Sequence, residues 1–212
     1  MKKTNCILTL VALAILFACK PPVTFNEPQP PDTDNLSKFP KRVQGQYLSL
    51  ANKSTLLISD NLIRRIYDYD DKIHPNQLDS NSKLSGDTMI DLKTNEKNLI
   101  KRDGDSLVFH VHGVDTLFRL SYDNVLRKFK GYYFLNIRYN KESWVVKKVH
   151  LSKGQLIISG ISTKQDIETL KEITEMSQDT VPVYRFSPTK KQFNEFIKRD
   201  GFSDSETFVK QK

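Results

Sequence analysis

At 212 residues the chain has the length of one domain or two small ones, and its 38% hydrophobic content is enough for a real core. The 33 Lys and Arg residues against 25 Asp and Glu give a net charge of +8, but the charges are mostly interspersed, as on a solvated surface. No Gly-x-Ser-x-Gly, His-Glu-x-x-His, phosphate-loop or dinucleotide glycine motif occurs, so the familiar catalytic classes are not signalled and no cofactor is expected.

Lys2 and Lys3 precede an apolar run over residues 7–17, broken only by Thr9. The run is too short for a hydrocarbon core of ~30 Å, which takes about 20 residues. A basic start, a short apolar core and a small residue before a cut form the pattern of a secretory signal. Leu16-Phe17-Ala18-Cys19 resembles the lipobox of bacterial lipoproteins, although Phe17 stands where a small residue is usual. The resemblance implies removal of residues 1–18, a diacylglycerol group on the Cys19 thiol and an acyl chain such as palmitate on its amino terminus. Several chains on one residue hold a protein stably to a bilayer. Cys6 leaves with the signal, so no internal disulfide forms and packing and backbone hydrogen bonds must hold the fold. The composition resembles that of Bacteroidota lipoproteins. In these an acidic run after the cysteine marks surface export, and Lys20-Pro21-Pro22 lacks it, which implies a periplasm-facing, membrane-anchored protein of the cell envelope.

Residues 19–40 hold six of the nine prolines. Proline lacks an amide donor and favours extended backbone, so this segment is expected to be a lipidated tether. Residues 41–212 are then the globular, β-rich domain with a helical C-terminal segment.

In chain order, residues 43–50, 55–59 and 62–69 read as strands, with Leu, Ile, Tyr and Val on a half-buried surface. Residues 71–86 are polar, include Pro75 and read as the longest loop. Strands follow at 88–92, 98–102, 106–112 and 116–121, with Asp103-Gly104 as a hairpin turn and Gly113 with Asp115 as another. Residues 132–139, 144–151 and 155–161 are the next strands. The fold class expected is mainly β, an antiparallel barrel or sandwich of about ten strands with two C-terminal helices.

The first helix is expected over 163–176, opened by Ser162 and Gln165 in capping-box form. A short strand over 181–186 would lie at an edge because of Pro182. The second helix is expected between Ser187-Pro188 and Gly201, with Phe193, Phe196 and Ile197 on one face. One weak internal repeat relates residues 41–47 to 127–133, sharing the form Gly-x-Tyr. Residues 57–59 and 157–159 also match, at a different offset. A glycine opening a strand before an aromatic also resembles the first strand of lipocalin-type barrels.

Three groups of residues carry candidate chemistry. His110 and His112 share one face of a strand, a spacing that suits two metal ligands, and His150 is a conceivable third. Asp68, Asp70 and Asp71 place three carboxylates close together, as hard cations require. Arg138, Lys147 and Lys148 lie in a basic stretch interleaved with aromatics including Trp144. Such a face is suited to an anionic glycan or lipid, or to an envelope protein; no nucleic acid is expected in this setting. The function these features point to is binding or interaction rather than catalysis. Alternatives are a lipocalin-like carrier of an apolar ligand, or a hydrolase acting on envelope polymers.

Overall fold

The computed structural model describes residues 20–174 and 183–211. The signal segment, Cys19, and the expected ends of the first helix at Met176 and the short strand at Val181 lie outside the described residues. Among the described residues the fold is mainly β, with fifteen strands and two α-helices. In chain order the strands are β1 (Val23–Phe25), β2 (Asn35–Leu36), β3 (Gly45–Ser49), β4 (Thr55–Ile58) and β5 (Leu62–Ile73). Next come β6 (Ser82–Ser85), β7 (Thr88–Asp91), β8 (Lys97–Asp103), β9 (Ser106–Arg119), β10 (Asn124–Phe129) and β11 (Tyr132–Asn140). The chain ends with β12 (Ser143–Ser152), β13 (Gln155–Gly160), α1 (Lys164–Ile173), β14 (Tyr184–Phe186), α2 (Lys190–Lys198) and β15 (Asp204–Lys210). The strands do not close into a barrel, which leaves the open, sandwich-type alternative.

The chain divides into two compact units. One takes the residues up to Phe39 with Leu120–Glu206, and the other takes Pro40–Arg119 with Thr207–Lys212. In the first, the strand order is β2-β10-β11-β12-β13, and β1 pairs with β12 and, in parallel, with β14. In the second, β3, β4, β5, β9, β8, β7 and β6 follow one another, with the end of β15 on β3.

The first unit is built on an aromatic cluster. Phe134 of β11 and Val146 of β12 face Leu170 of α1 and Phe193 and Phe196 of α2, all buried. Ring centroids lie 5.2 Å apart for Phe134–Phe193 and 5.3 Å for Phe196–Phe202, in tilted or edge-to-face contact. The expected apolar face of the second helix is borne out, since Phe193, Phe196 and Ile197 are its buried residues. Its start is not where Ser187-Pro188 suggested. Thr189 caps the helix and forms a capping box with Gln192, because Thr189 presents its hydroxyl to the third amide of the helix. Likewise Thr163, and not Ser162, caps α1 by accepting from the Asp166 amide at 3.1 Å.

The expected tether over residues 19–40 is corrected by the structure. Val23–Phe25 forms β1, and Phe25 is fully buried with its ring edge-on to Phe193 at 6.3 Å. Gln29, Pro30 and Pro31 are buried as well. Proline removes donors from this segment, and side chains of the body satisfy the backbone that remains. The Asn136 amide accepts from Gln29 N and donates to Gln29 O at 2.9 Å. Arg127 donates to the carbonyls of Pro28 and Pro30. A segment poor in its own ladder bonds is thus bound as a strip along the sheet.

Further corrections share one cause, that pairing partners override local turn signals. The loop expected over 71–86 instead continues β5 to Ile73 and then forms a short 3₁₀ turn, Pro75–Gln77, and β6. The turn expected at Gly113 and Asp115 is the middle of β9, which pairs with β5 on both sides of these residues and shifts register only between Ile63 and Arg64. There Gly113 lies opposite Tyr67, whose ring would sit 3.6 Å from a Cβ at that position. Strands β10 and β15 were not expected. The internal repeat does not reflect equivalent halves. Gly45 opens β3 after a turn, whereas Gly131 sits in the β10–β11 hairpin, and 57–59 and 157–159 fall on strands at different steps from these glycines.

Two stability predictions follow from this packing. Phe25→Ala should cost about 3–5 kcal/mol in urea denaturation, whereas a substitution in a spacer would leave stability unchanged. A Cβ on Gly201 would fall 2.4 Å from the Phe196 ring, so Gly201→Ala should cost about 1–3 kcal/mol, seen as a fall in Tm.

Candidate functional site

Strands β5 and β9 pair in antiparallel register from Leu62 opposite Arg119 to Ile73 opposite Leu107. Side chains alternate across a strand, so residues directly opposite each other share a face. One face is turned inward: Leu107 is buried, and Phe109, Val111 and Tyr69 are half-buried, as the alternation around the histidines implied. The other face is exposed and carries Asp68 opposite His112 and Asp70 opposite His110.

The two sequence candidates, a histidine pair and an acidic cluster, therefore form one site. His110 stands between two carboxylates, with Nδ1 3.0 Å from Asp70 Oδ1 and Nε2 3.0 Å from Asp68 Oδ1. Its ring stacks on that of His112 with centroids 6.5 Å apart and planes within 14°. Ligand atoms of Asp68, His110 and His112 all lie within 4.8 Å of one another. The hydrogen bond to Asp70, with the charges of Asp68 and Asp70, raises the His110 pKa above its ordinary 6.5. The remaining candidates lie elsewhere. Asp71 is on the alternate face of β5 and pairs with Lys53 at 3.6 Å. His150 packs against the Tyr132 ring at 5.0 Å in the first unit.

Sequence reasoning kept the carboxylates and imidazoles apart because β5 and β9 are neighbours only through long-range pairing, with β6, β7 and β8 between them in the chain. Each stretch, Asp68-x-Asp70 and His110-x-His112, places its side chains on one face, but only the register brings the two faces together.

The basic and aromatic candidates do not make one face. Trp144 is buried beneath Arg138, whose guanidinium lies 4.1 Å above the ring. Arg138 is also matched by Asp123, at 2.9 Å from its Nε. Lys148 is on the same side of β12 as Trp144, is half-buried, and donates to the Gly201 carbonyl at 3.0 Å. Burial lowers its pKa from the usual lysine value. Lys147 is exposed on the opposite side of the strand. Arg138 and Lys148 are thus engaged within the fold, and Lys147 does not share their side.

A cleft of about 160 Å³ opens in the first unit beside Pro21, Pro22, Val145, Val146, Ile161 and Asp204. Comparison with protein-family models, with curated proteins and with solved structures gives no match.

A histidine whose pKa rises on folding stabilises the fold fully below its unfolded pKa, and the effect is lost as pH rises through the folded value. An NMR titration should therefore give His110 a midpoint above 6.5, and Asp70→Asn should lower it. A midpoint unmoved by that substitution would contradict the assigned hydrogen bond.

Proposed function

We propose that the chain is a bacterial lipoprotein, held in the cell envelope by acyl chains on Cys19, whose β-rich body serves a binding or interaction role. The observation that carries this reading is Leu16-Phe17-Ala18-Cys19 behind a basic start and a short apolar run. No helix among the described residues is long and apolar enough to cross a membrane. In this reading the acyl chains on Cys19 hold the protein to the membrane.

The ordered N-terminal segment refines the geometry of such an anchor. Only Lys20, Pro21 and Pro22 separate Cys19 from β1. At ~3.1 Å per residue the anchor holds the first unit within about 10 Å of the headgroups, not at the end of a long stalk. An interaction role is favoured over carriage because the strands are not closed into a barrel. It is favoured over hydrolysis because His110 and its carboxylates stand on an exposed strand face.

The test is fractionation of bacterial cells expressing the full chain, with the wild type beside Cys19→Ser. The wild type should stay with membranes through a high-salt wash and show a mature amino terminus whose mass includes acyl chains. Cys19→Ser should be released or left unprocessed. A serine variant that is processed and retained as firmly as the wild type would refute the anchor.

A further inference from the structure

A neutral imidazole has one N–H and one lone pair. His110 has a carboxylate oxygen 3.0 Å from each ring nitrogen, so a neutral ring can donate to only one of them. With its proton on Nδ1 toward Asp70, the Nε2 lone pair faces Asp68 Oδ1 across 3.0 Å. Two acceptors at that distance repel. A positive charge placed between them removes the repulsion, whether it is a proton or a metal cation.

Three further observations favour a metal. His112 adds a second imidazole on the same face, and its ligand atom, with those of His110 and Asp68, falls within one 4.8 Å sphere of separations. A tetrahedral ion with bonds of ~2.0–2.2 Å holds its ligands about 3.4 Å apart, so rotation of these exposed side chains closes the remaining gap. Asp70, bonded to Nδ1 of His110, is in the position of the outer carboxylate that fixes the tautomer of metal-bound histidines and raises their basicity. The two carboxylates also match the charge of a dication, while nearby lysines are engaged elsewhere. Lys72 pairs with Asp103, and Lys53 with Asp71 and the Asp70 carbonyl.

We propose that Asp68, His110 and His112 bind a divalent transition cation of the zinc class, with Asp70 as the supporting carboxylate. Two imidazoles and one carboxylate suit zinc, copper or nickel, whereas calcium and magnesium require more oxygen ligands. Twelve paired positions of β5 and β9 fix the Cβ atoms of the four residues, so the site belongs to the sheet and not to a loop. Its side chains are open to solvent, which leaves the fourth position to water and makes the ion exchangeable. The site is in the second unit and does not depend on the Cys19 anchor.

The experiment is calorimetric titration of the full chain, without an affinity tag, with zinc chloride, beside calcium and magnesium chloride. The expected result is one zinc ion per chain, reversed by a chelator and unaffected by excess calcium or magnesium. His110→Ala should abolish it, and Asp70→Asn should weaken it about 10–100-fold. Circular dichroism of each variant shows that the fold is kept; if His110→Ala unfolds, His110→Gln replaces it. No stoichiometric zinc binding by the wild type, or binding that is unchanged in folded His110 and His112 variants, would overturn the proposal.

Discussion

The burial of Phe25 against Phe193 is the constraint on which the first unit depends. It brings the N-terminal segment onto the sheet, because a fully buried aromatic side chain contributes about 3–5 kcal/mol that a detached segment would forgo. With Phe25 in place, β1 sits between β12 and β14, and the Gln29 backbone is paired by Asn136. The aromatic cluster then has strands on one side, helices on the other and the N-terminal strip among them. A lipid on Cys19 would therefore be attached to a structural member of the fold, three residues from its first strand.

In the second unit the comparable constraint is register. A slip of one residue between β5 and β9 would send the Asp68, Asp70, His110 and His112 side chains to opposite faces. The inward residues Leu107, Phe109 and Val111 hold the alternation from the other side. The polar site is thus a consequence of apolar packing on the reverse of the same two strands, and that packing gives exposed side chains defined partners.

Much of the architecture was legible because it rests on local periodicity. The faces of α2, the aromatic strand β11 and the alternation of β9 are visible in spacing alone. What was not legible depends on distant partners. The prolines of the N-terminal segment read as a spacer because proline forgoes ladder bonds, and nothing local reveals that Arg127 and Asn136 supply substitutes. Gly113 read as a turn because the strand that pairs across it, β5, is distant in the chain. β15, with charged and polar residues on both sides of Phe208, lacks a clear alternation and is recognised only by its pairing with β3. The same limit split the candidate site in two: each half has a local signature, and only the register shows that they meet.

The claim that the N-terminal segment is part of the folded body is tested most directly by amide hydrogen exchange on the full chain. The Asn26 amide donates to Phe186 O at 3.1 Å, and the Tyr184 amide donates to Pro22 O at 2.9 Å. Both should exchange as slowly as amides in the centre of β11. Exchange of these two amides at the rate of an unstructured chain, while β11 stays protected, would contradict the account.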